Sequence, residues 1–158
     1  PRVGIINIGT EIAKGFAYQK DAYELITKDK TINFVGFIEP RELLMGVTDV
    51  AIADGYTGNI TLKALEGGLG TLKSVMKQEF KKPWNWIGAL CSIGVLKQLA
   101  HTFDYKNNAG AFVIGLQKIA VKTHGNADQQ QFSSSIRMLY EAVAKNVVNA
   151  IQKSLGNK

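Results

Sequence analysis

Small polar residues and glycines are concentrated in the segment ADGYTGN, at residues 53–59, directly after an apolar run. Glycines let the backbone approach an anion closely, and the Thr57 hydroxyl and the Asn59 amide add hydrogen-bond donors. The segment is therefore a candidate for binding a phosphate or an oxyanion. The alternative is an ordinary strand-to-helix turn with Asn59 as the helix cap, because the segment matches neither a dinucleotide-binding loop nor a Walker loop.

Two further turns have the same character. Asn7-Ile8-Gly9-Thr10-Glu11 leaves one apolar run with Lys14 close behind, and Thr123-His124-Gly125-Asn126 leaves another. A single lysine is usually a solvated surface charge and a single histidine is usually structural, so neither is evidence alone. Three polar, glycine-bearing turns at predicted strand ends together favour an anion site.

The elements that must position these turns follow from the apolar pattern. Strands are predicted at residues 2–9, 32–38, 50–53 and 118–125, the first of them with the pattern of a strand buried on both faces. A helix is predicted after the first strand and a short helix at 41–46. Alternating strands and helices predict a parallel sheet with helices on its faces. Ligands collect beyond the carboxyl ends of such strands, which is where the three turns lie.

Two long helices complete the predicted elements. One runs from just after residues 53–59 to about Phe80. Its three glycines at 67, 68 and 70 weaken the helix and indicate either close packing or deliberate looseness, and close packing is the favoured interpretation. The other is capped by Asp128 and ends at Gly156. Its predicted apolar stripe consists of Phe132, Ile136, Tyr140, Val143, Val147, Ile151 and Leu155.

Composition limits the classes of protein and partner. The 158 residues are 46% hydrophobic, enough for a globular domain with a core, and no linker divides them, so a single domain is predicted over residues 1–158. A net charge of +6 favours an acidic partner or a phosphate, although a lysine-rich soluble surface is the alternative. One cysteine indicates a reducing cytoplasm. Because the chain starts with Pro1 in a strand-like run, we expect it to be part of a longer protein.

Four segments taken in order resemble a known family. They are PRVGIINIGTE with KG following, INFVGFIE, GVTDVAIADGYTGNITLKALEG and GAFVIGLQKIAVKTHGNAD. They resemble the C-terminal half of the bacterial phosphate acyltransferases of phospholipid synthesis, the PlsX family, and the likeness is weak only between Lys81 and Lys106. The resemblance implies a three-layer α/β/α sandwich with a mainly parallel, Rossmann-like sheet, as in isocitrate dehydrogenase and phosphate acetyltransferase, and a homodimer.

The resemblance also implies a reaction and the residues for it. Inorganic phosphate attacks the thioester of a fatty acyl carrier protein and gives acyl phosphate. The catalytic lysine and asparagine fall on Lys14 and Asn59. Neither a cofactor nor a metal is required, and His101, His124 and one cysteine make no zinc spacing. The remaining phosphate-site and turn residues would be Asn7, Gly9, Thr57, Gly58, His124 and Gly125.

The chain departs from the family pattern at three places. Phe16 replaces a small polar residue, Asn108-Ala109-Gly110 replaces a glycine pair, and Asn126-Ala127-Asp128 replaces a serine pair before the aspartate. These changes leave Lys14 and Asn59 in place and affect the details of the pocket. The chain is also about half as long as the family, whose N-terminal half lines the active site as well.

The uncharged segment PWNWIGALCSIGVL, at residues 83–96, is too short to span a bilayer, but its tryptophans suit the headgroup boundary. By resemblance, Trp84, Trp86 and Ile87 contact the membrane. The alternative is a hairpin in the core or in a dimer interface. The lysines around this segment suit an acidic carrier protein or anionic lipid, and they are Lys77, Lys81, Lys82, Lys97 and Lys106.

The favoured reading is a cytoplasmic, peripherally membrane-associated acyltransferase with acyl carrier protein and inorganic phosphate as partners. A phosphate acetyltransferase-like enzyme acting on acyl coenzyme A is the first alternative. A basic, non-catalytic module that binds a membrane or nucleic acid is the second. No recognition helix or aromatic stacking platform is evident, so nucleic acid is not an expected partner.

Overall fold

The computed structural model describes residues 1–103, 110–125 and 127–156. Lys106, the pair Asn108-Ala109 and Asn126, all singled out in the sequence, lie outside the described residues. The chain divides into two compact units, Pro1–Asn85 and Trp86–Lys158, each with a small sheet. The single domain expected over residues 1–158 stays a prediction.

The first unit contains a parallel sheet of three strands in the order β2, β1, β3. The strands are β1 (Arg2–Ile6), β2 (Asn33–Ile38) and β3 (Val50–Ile52). Apolar residues at the end of β1 and β2 are buried, among them Ile5 and Phe37, which are partners in the register. A parallel sheet with flanking helices confirms the predicted α/β class, consistent with a Rossmann-like α/β/α fold.

The first unit has two α-helices: α1 (Ala17–Lys28) follows the central strand β1, and α2 (Gly55–Phe80) follows the edge strand β3. Short 3-10 helices occupy Pro40–Met45 and Pro83–Asn85. Tyr23 of α1 packs on β2, with its ring centroid 5.0 Å from that of Phe34 and 4.8 Å from that of Phe37. Aromatic contacts of this kind add specificity to the area that they bury, and they fix α1 on the sheet.

The three glycines of α2 do not have the predicted packing role. At Gly67, Gly68 and Gly70 an added Cβ would meet no described atom within 4 Å. The expectation of close packing there is therefore wrong for the described residues. All three glycines are exposed to solvent on the surface of α2.

The second unit combines helices with a hairpin. Its helices α3 (Trp86–Cys91) and α4 (Ile93–Thr102) are followed by β4 (Ala111–Phe112) and β5 (Val121–Lys122). The strand predicted at residues 118–125 is thus shorter than expected. It pairs antiparallel with β4 in a separate sheet, so it does not extend the parallel one.

The predicted final helix is two helices, α5 (Gln129–Ala144) and α6 (Val147–Gly156). Asn146 separates them with a φ of 51°, a left-handed conformation that asparagine tolerates better than most residues. The predicted cap is confirmed, because the Asp128 carboxylate accepts a hydrogen bond from the backbone N–H of Gln131 at 2.9 Å.

Candidate active site at the carboxyl edge of the parallel sheet

The turns after β1 and β3 leave the same edge of the sheet. The two strands are parallel neighbours, and Ile5 of β1 is in register with Ile52 of β3. Residues 7–16 follow β1, and residues 53–54 connect β3 to α2. The turn that carries Lys14 and the first part of α2, which carries Asn59, therefore lie at the same edge of the sheet, as the parallel-sheet argument predicts.

Asn7 organises the turn after β1. Its side chain is buried, with a relative exposure of 1%. Its Nδ2 donates to the backbone carbonyl of Lys14 at 3.2 Å, and its Oδ1 accepts from the N–H of Ile8 at 2.9 Å. Both ends of the amide are thus used inside the turn, and they hold the backbone of Lys14 in place.

A second buried amide closes the same turn. Gln19 of α1 donates from Nε2 to the carbonyl of Ile6 at 3.1 Å and accepts from the N–H of Phe16 at 2.9 Å. Gly15, which precedes Phe16, has a φ of 87°, and a Cβ there would lie 2.3 Å from Oδ1 of Asn7. Only glycine fits this position without strain and a clash.

The Lys14 side chain lies over Gly9 and pairs with Glu11. Its Nζ is 2.8 Å from Oε1 of Glu11, and the lysine side chain is 48% exposed. Hydrogen bonding from Lys14 lowers the pKa of the Glu11 carboxyl below its usual value. Gly9 itself is buried, and a Cβ there would come within 2.6 Å of Cδ of Lys14.

The start of α2 differs from its prediction. The helix begins at Gly55, and its cap is Asp54, so Asn59 lies one turn inside the helix. The Asp54 carboxylate accepts from the N–H groups of Tyr56 at 3.0 Å and Thr57 at 2.9 Å. Two of the backbone donors expected to cradle an anion are therefore already engaged by a carboxylate of the chain itself.

Gly58 and Thr57 also contribute to this helix start. The Gly58 N–H donates to the carbonyl of Asp54 at 2.9 Å, and the Thr57 carbonyl accepts from the Thr61 hydroxyl at 2.8 Å. A Cβ at Gly58 would lie 3.4 Å from Cβ of Ala53, at the limit of ordinary van der Waals contact with the residue that follows β3. The Asn59 side chain is exposed at this end of α2.

Tyr18 and Asp54 connect the two turns, although the sequence reasoning gave neither a role in the site. The Tyr18 hydroxyl donates to Oδ2 of Asp54 at 3.1 Å, and the Tyr18 ring stacks on Phe16 at 5.6 Å between centroids. Hydrogen bonds from Thr57, Tyr18 and Tyr56 lower the pKa of Asp54 to about 2. An aspartate before glycine at a strand-to-helix junction is a cap signature that could have identified Asp54.

The predicted membrane segment is exposed. The side chains of Trp84, Trp86 and Ile87 are 76%, 62% and 79% exposed. The alternative of a core hairpin therefore does not hold within the described residues of this chain, where the segment forms a 3-10 turn followed by α3 and the start of α4. No helix in the described ranges combines the length and the apolar character needed to cross a bilayer.

The lysines around that segment are solvent-accessible. Lys77, Lys81 and Lys97 are exposed, and Lys82 is half-buried. Nζ of Lys82 lies 2.5 Å from Oε1 of Glu79, so this charge has a partner within α2.

His124 and Gly125 belong to the second unit, where they follow β5 and are exposed. Their predicted part in the phosphate site stays a prediction. This unit also has an apolar cavity of about 250 Å³ between the hairpin connection and α6. It is lined mainly by aliphatic side chains, such as Ile114, Leu116 and Ile151, and by none of the predicted site residues.

Sequence comparison places the chain among known proteins. The sequence model of a family described as "Fatty acid synthesis protein" matches residues 1–150. A protein of Mycoplasma pneumoniae named "Phosphate acyltransferase" is 53% identical over 157 residues, which cover 99% of this chain and 47% of that protein. Proteins of the same name from Mycoplasma genitalium and Ureaplasma parvum are each 50% identical, with the same coverage of both chains.

An α/β fold with a parallel three-stranded sheet and polar turns at its strand ends is the class that the structure defines. Within it, the chain belongs to the fatty acid synthesis protein family, also called the PlsX family, as its motifs predicted. The chain spans about half the length of the curated relatives that it matches.

Proposed function

We propose that the protein is an acyltransferase that moves a fatty acyl group from acyl carrier protein to inorganic phosphate. The observation that carries the proposal is the juxtaposition at one sheet edge of the Lys14 turn and the Asn59 helix start, after paired strands β1 and β3. Membership of a family whose relatives are named phosphate acyltransferases supports the reaction type.

In the proposed reaction a phosphate oxygen attacks the thioester carbonyl. An oxygen–carbon bond forms, the carbon–sulfur bond breaks, and the carrier thiolate leaves with the electron pair and takes up a proton from solvent. Lys14 and Asn59 supply an ammonium and an amide donor at about 3 Å to the dianion and to the oxyanion that develops. Phosphate is already a competent nucleophile, so no covalent enzyme intermediate is needed.

The first test is Lys14→Met in the complete protein that carries this chain, with acyl phosphate formation from acyl carrier protein as the readout. We expect a loss of roughly 100- to 1000-fold, the usual effect of removing one stabilising donor. Lys63→Met is the matched control, because Lys63 is an exposed lysine of the same unit that pairs with Glu66. Undiminished activity of Lys14→Met would refute the role of this lysine.

Acyl carrier protein is the proposed donor because the accessible lysines near residues 83–96 suit an acidic protein. The competing donor is acyl coenzyme A. Rates with the two thioesters of the same acyl chain, measured at several salt concentrations, distinguish them. If only the coenzyme A thioester is turned over, acyl coenzyme A and not acyl carrier protein is the acyl donor.

We further propose that the protein works in the cytoplasm, at the membrane surface, through Trp84, Trp86 and Ile87. Their exposure supports this role, since indole rings favour the headgroup boundary. Flotation of the complete protein with vesicles containing anionic lipid tests it. We expect a Trp84→Ser, Trp86→Ser variant to lose most of its vesicle binding at low salt, and Tyr56→Ser, which also removes an exposed aromatic ring, to keep it. Equal binding of all three proteins would contradict the assignment.

A further inference from the structure

The ammonium of Lys14 has an anionic partner within its own turn. Its Nζ lies 2.8 Å from Oε1 of Glu11, in a pair whose side chains are 48% and 59% exposed. The backbone reinforces the arrangement, because the Lys14 N–H donates to the Glu11 carbonyl at 3.0 Å. The cation proposed to hold the phosphate is therefore neutralised within its own turn.

The pair rests against the backbone at the end of β1. A Cβ on Gly9 would lie 2.7 Å from Oε2 of Glu11 and 3.0 Å from Nζ of Lys14. Both charged groups thus lie directly over Gly9, at the edge where the anion is proposed to bind. A phosphate that contacts the Lys14 ammonium there meets the Glu11 carboxylate in the same space.

We propose that Glu11 is an internal competitor of phosphate, a carboxylate that the dianion must displace from Lys14 when it binds. The inference rests on the proposed function, because it concerns the same anion site. Two features favour displacement. A dianion attracts the ammonium more strongly than a single carboxylate does, and an exposed ion pair is weak, so that Glu11 can turn into solvent at little cost.

The test is Glu11→Gln in the complete protein, with kcat and KM for inorganic phosphate measured at constant ionic strength. We expect the KM for phosphate to fall by about two- to fivefold, the effect of removing one exposed ion pair, with kcat changed by less than about twofold. Glu11→Asp keeps the charge and should stay closer to the parent protein. Glu66→Gln is the matched control, because Glu66 pairs with Lys63 at the same sequence spacing, at 3.1 Å, and should change neither constant.

An unchanged KM in Glu11→Gln would overturn the proposal. A raised KM with a reduced kcat would also overturn it, and would mean that Glu11 holds Lys14 in position. Titration with inorganic phosphate alone separates these results from a failure of the proposed reaction, since tighter phosphate binding by Glu11→Gln supports competition even where no acyl phosphate forms. If Glu11→Gln does not fold, the same titration of Glu11→Ala decides between the outcomes.

Discussion

At the scale of single residues, the turn after β1 is held together by side chains that point inward. The buried Asn7 amide donates a hydrogen bond to the Lys14 carbonyl and accepts one from the Ile8 N–H. Because a buried amide that lost such partners would be costly, we expect Asn7 to fix the Lys14 backbone. A part for Asn7 in the phosphate site, which the family resemblance implies, stays a prediction; the Asn7 amide nitrogen has a second N–H besides the one that binds the Lys14 carbonyl.

Alanine substitutions at two glycines of this turn, Gly9 and Gly15, should have different effects, the first on activity and the second on stability. In Gly9→Ala the new methyl group meets the flexible ends of Lys14 and Glu11, at 2.6 and 2.7 Å, so these side chains must move while the fold accommodates the change. We expect acyl phosphate formation to fall by about tenfold or more, with little change in Tm. In Gly15→Ala the methyl group meets the buried Asn7 amide at a φ of 87°, which should cost roughly 1 to 3 kcal/mol of folding free energy.

Initial rates and thermal unfolding of both variants, made in the complete protein, check this contrast. Full activity in Gly9→Ala would show that displacing the Lys14 and Glu11 side chains does not matter for the reaction. A Tm of Gly15→Ala equal to that of the parent would show that the turn relaxes around an added Cβ.

The spacing of residues predicted part of this site. Asn7, Gly9 and Lys14 are close in sequence at a strand end, so their common turn follows from the pattern. The ion pair of Lys14 with Glu11 and the hydrogen bond from Tyr18 to Asp54 were not predicted. The first depends on how the turn folds back over Gly9, and the second joins residues 36 positions apart, which no local pattern reports.

At the scale of elements, the apolar runs located the three parallel strands, although burial is confined to β1 and β2 and the residues of β3 are exposed. The starts and breaks of helices were less predictable. Asp54 rather than Asn59 caps α2, since its carboxylate accepts two backbone N–H groups before the apolar periodicity begins. The break at Asn146 has no periodic signature, because one residue with a positive φ leaves the apolar spacing on either side intact.

The cap of α2 predicts a dependence of stability on pH. The pKa of Asp54 is about 2 in the folded protein, below its usual unfolded value of about 3.9. A lowered folded pKa stabilises the fold above the unfolded pKa, and this contribution disappears as the pH falls through about 2. Asp54→Asn keeps a neutral cap, so we expect its Tm to be lower than that of the parent by roughly 1 to 3 °C above pH 5.

Thermal unfolding of the parent and Asp54→Asn proteins between pH 2 and pH 8 measures this difference. The difference in Tm between the two proteins should be constant above pH 5. It should narrow below about pH 4 and disappear as the pH falls through about 2. A difference that grows as the solution is acidified would have the wrong sign for a carboxylate with a lowered pKa, and it would place the stabilising charge elsewhere.

At the scale of the whole molecule, the described residues expose more apolar surface than the composition suggested. The chain is 46% hydrophobic, yet its buried hydrophobic side chains in the described ranges are Ile5, Ile6, Phe37, Ile38 and Ala142. The apolar stripe predicted along α5 is exposed at Phe132, Ile136, Tyr140 and Val143, while Gln131, Ser134 and Ser135 are buried. Periodicity shows which residues share a helix face, but not what covers that face. Exposed stripes of this size are typical of surfaces that contact another chain or domain.

The homodimer implied by the family resemblance makes the α5 stripe testable. If a second copy covers the stripe, Ile136→Asp places a charge in an apolar interface and should raise the dimer dissociation constant by at least about tenfold. Sedimentation velocity of the complete protein over a range of concentrations measures this constant. Ser133→Asp, at an exposed polar position of α5, is the control and should leave the mass unchanged. A fall in Tm without a change in mass would mean that the same polypeptide covers the stripe, and no change in either quantity would mean that solvent does.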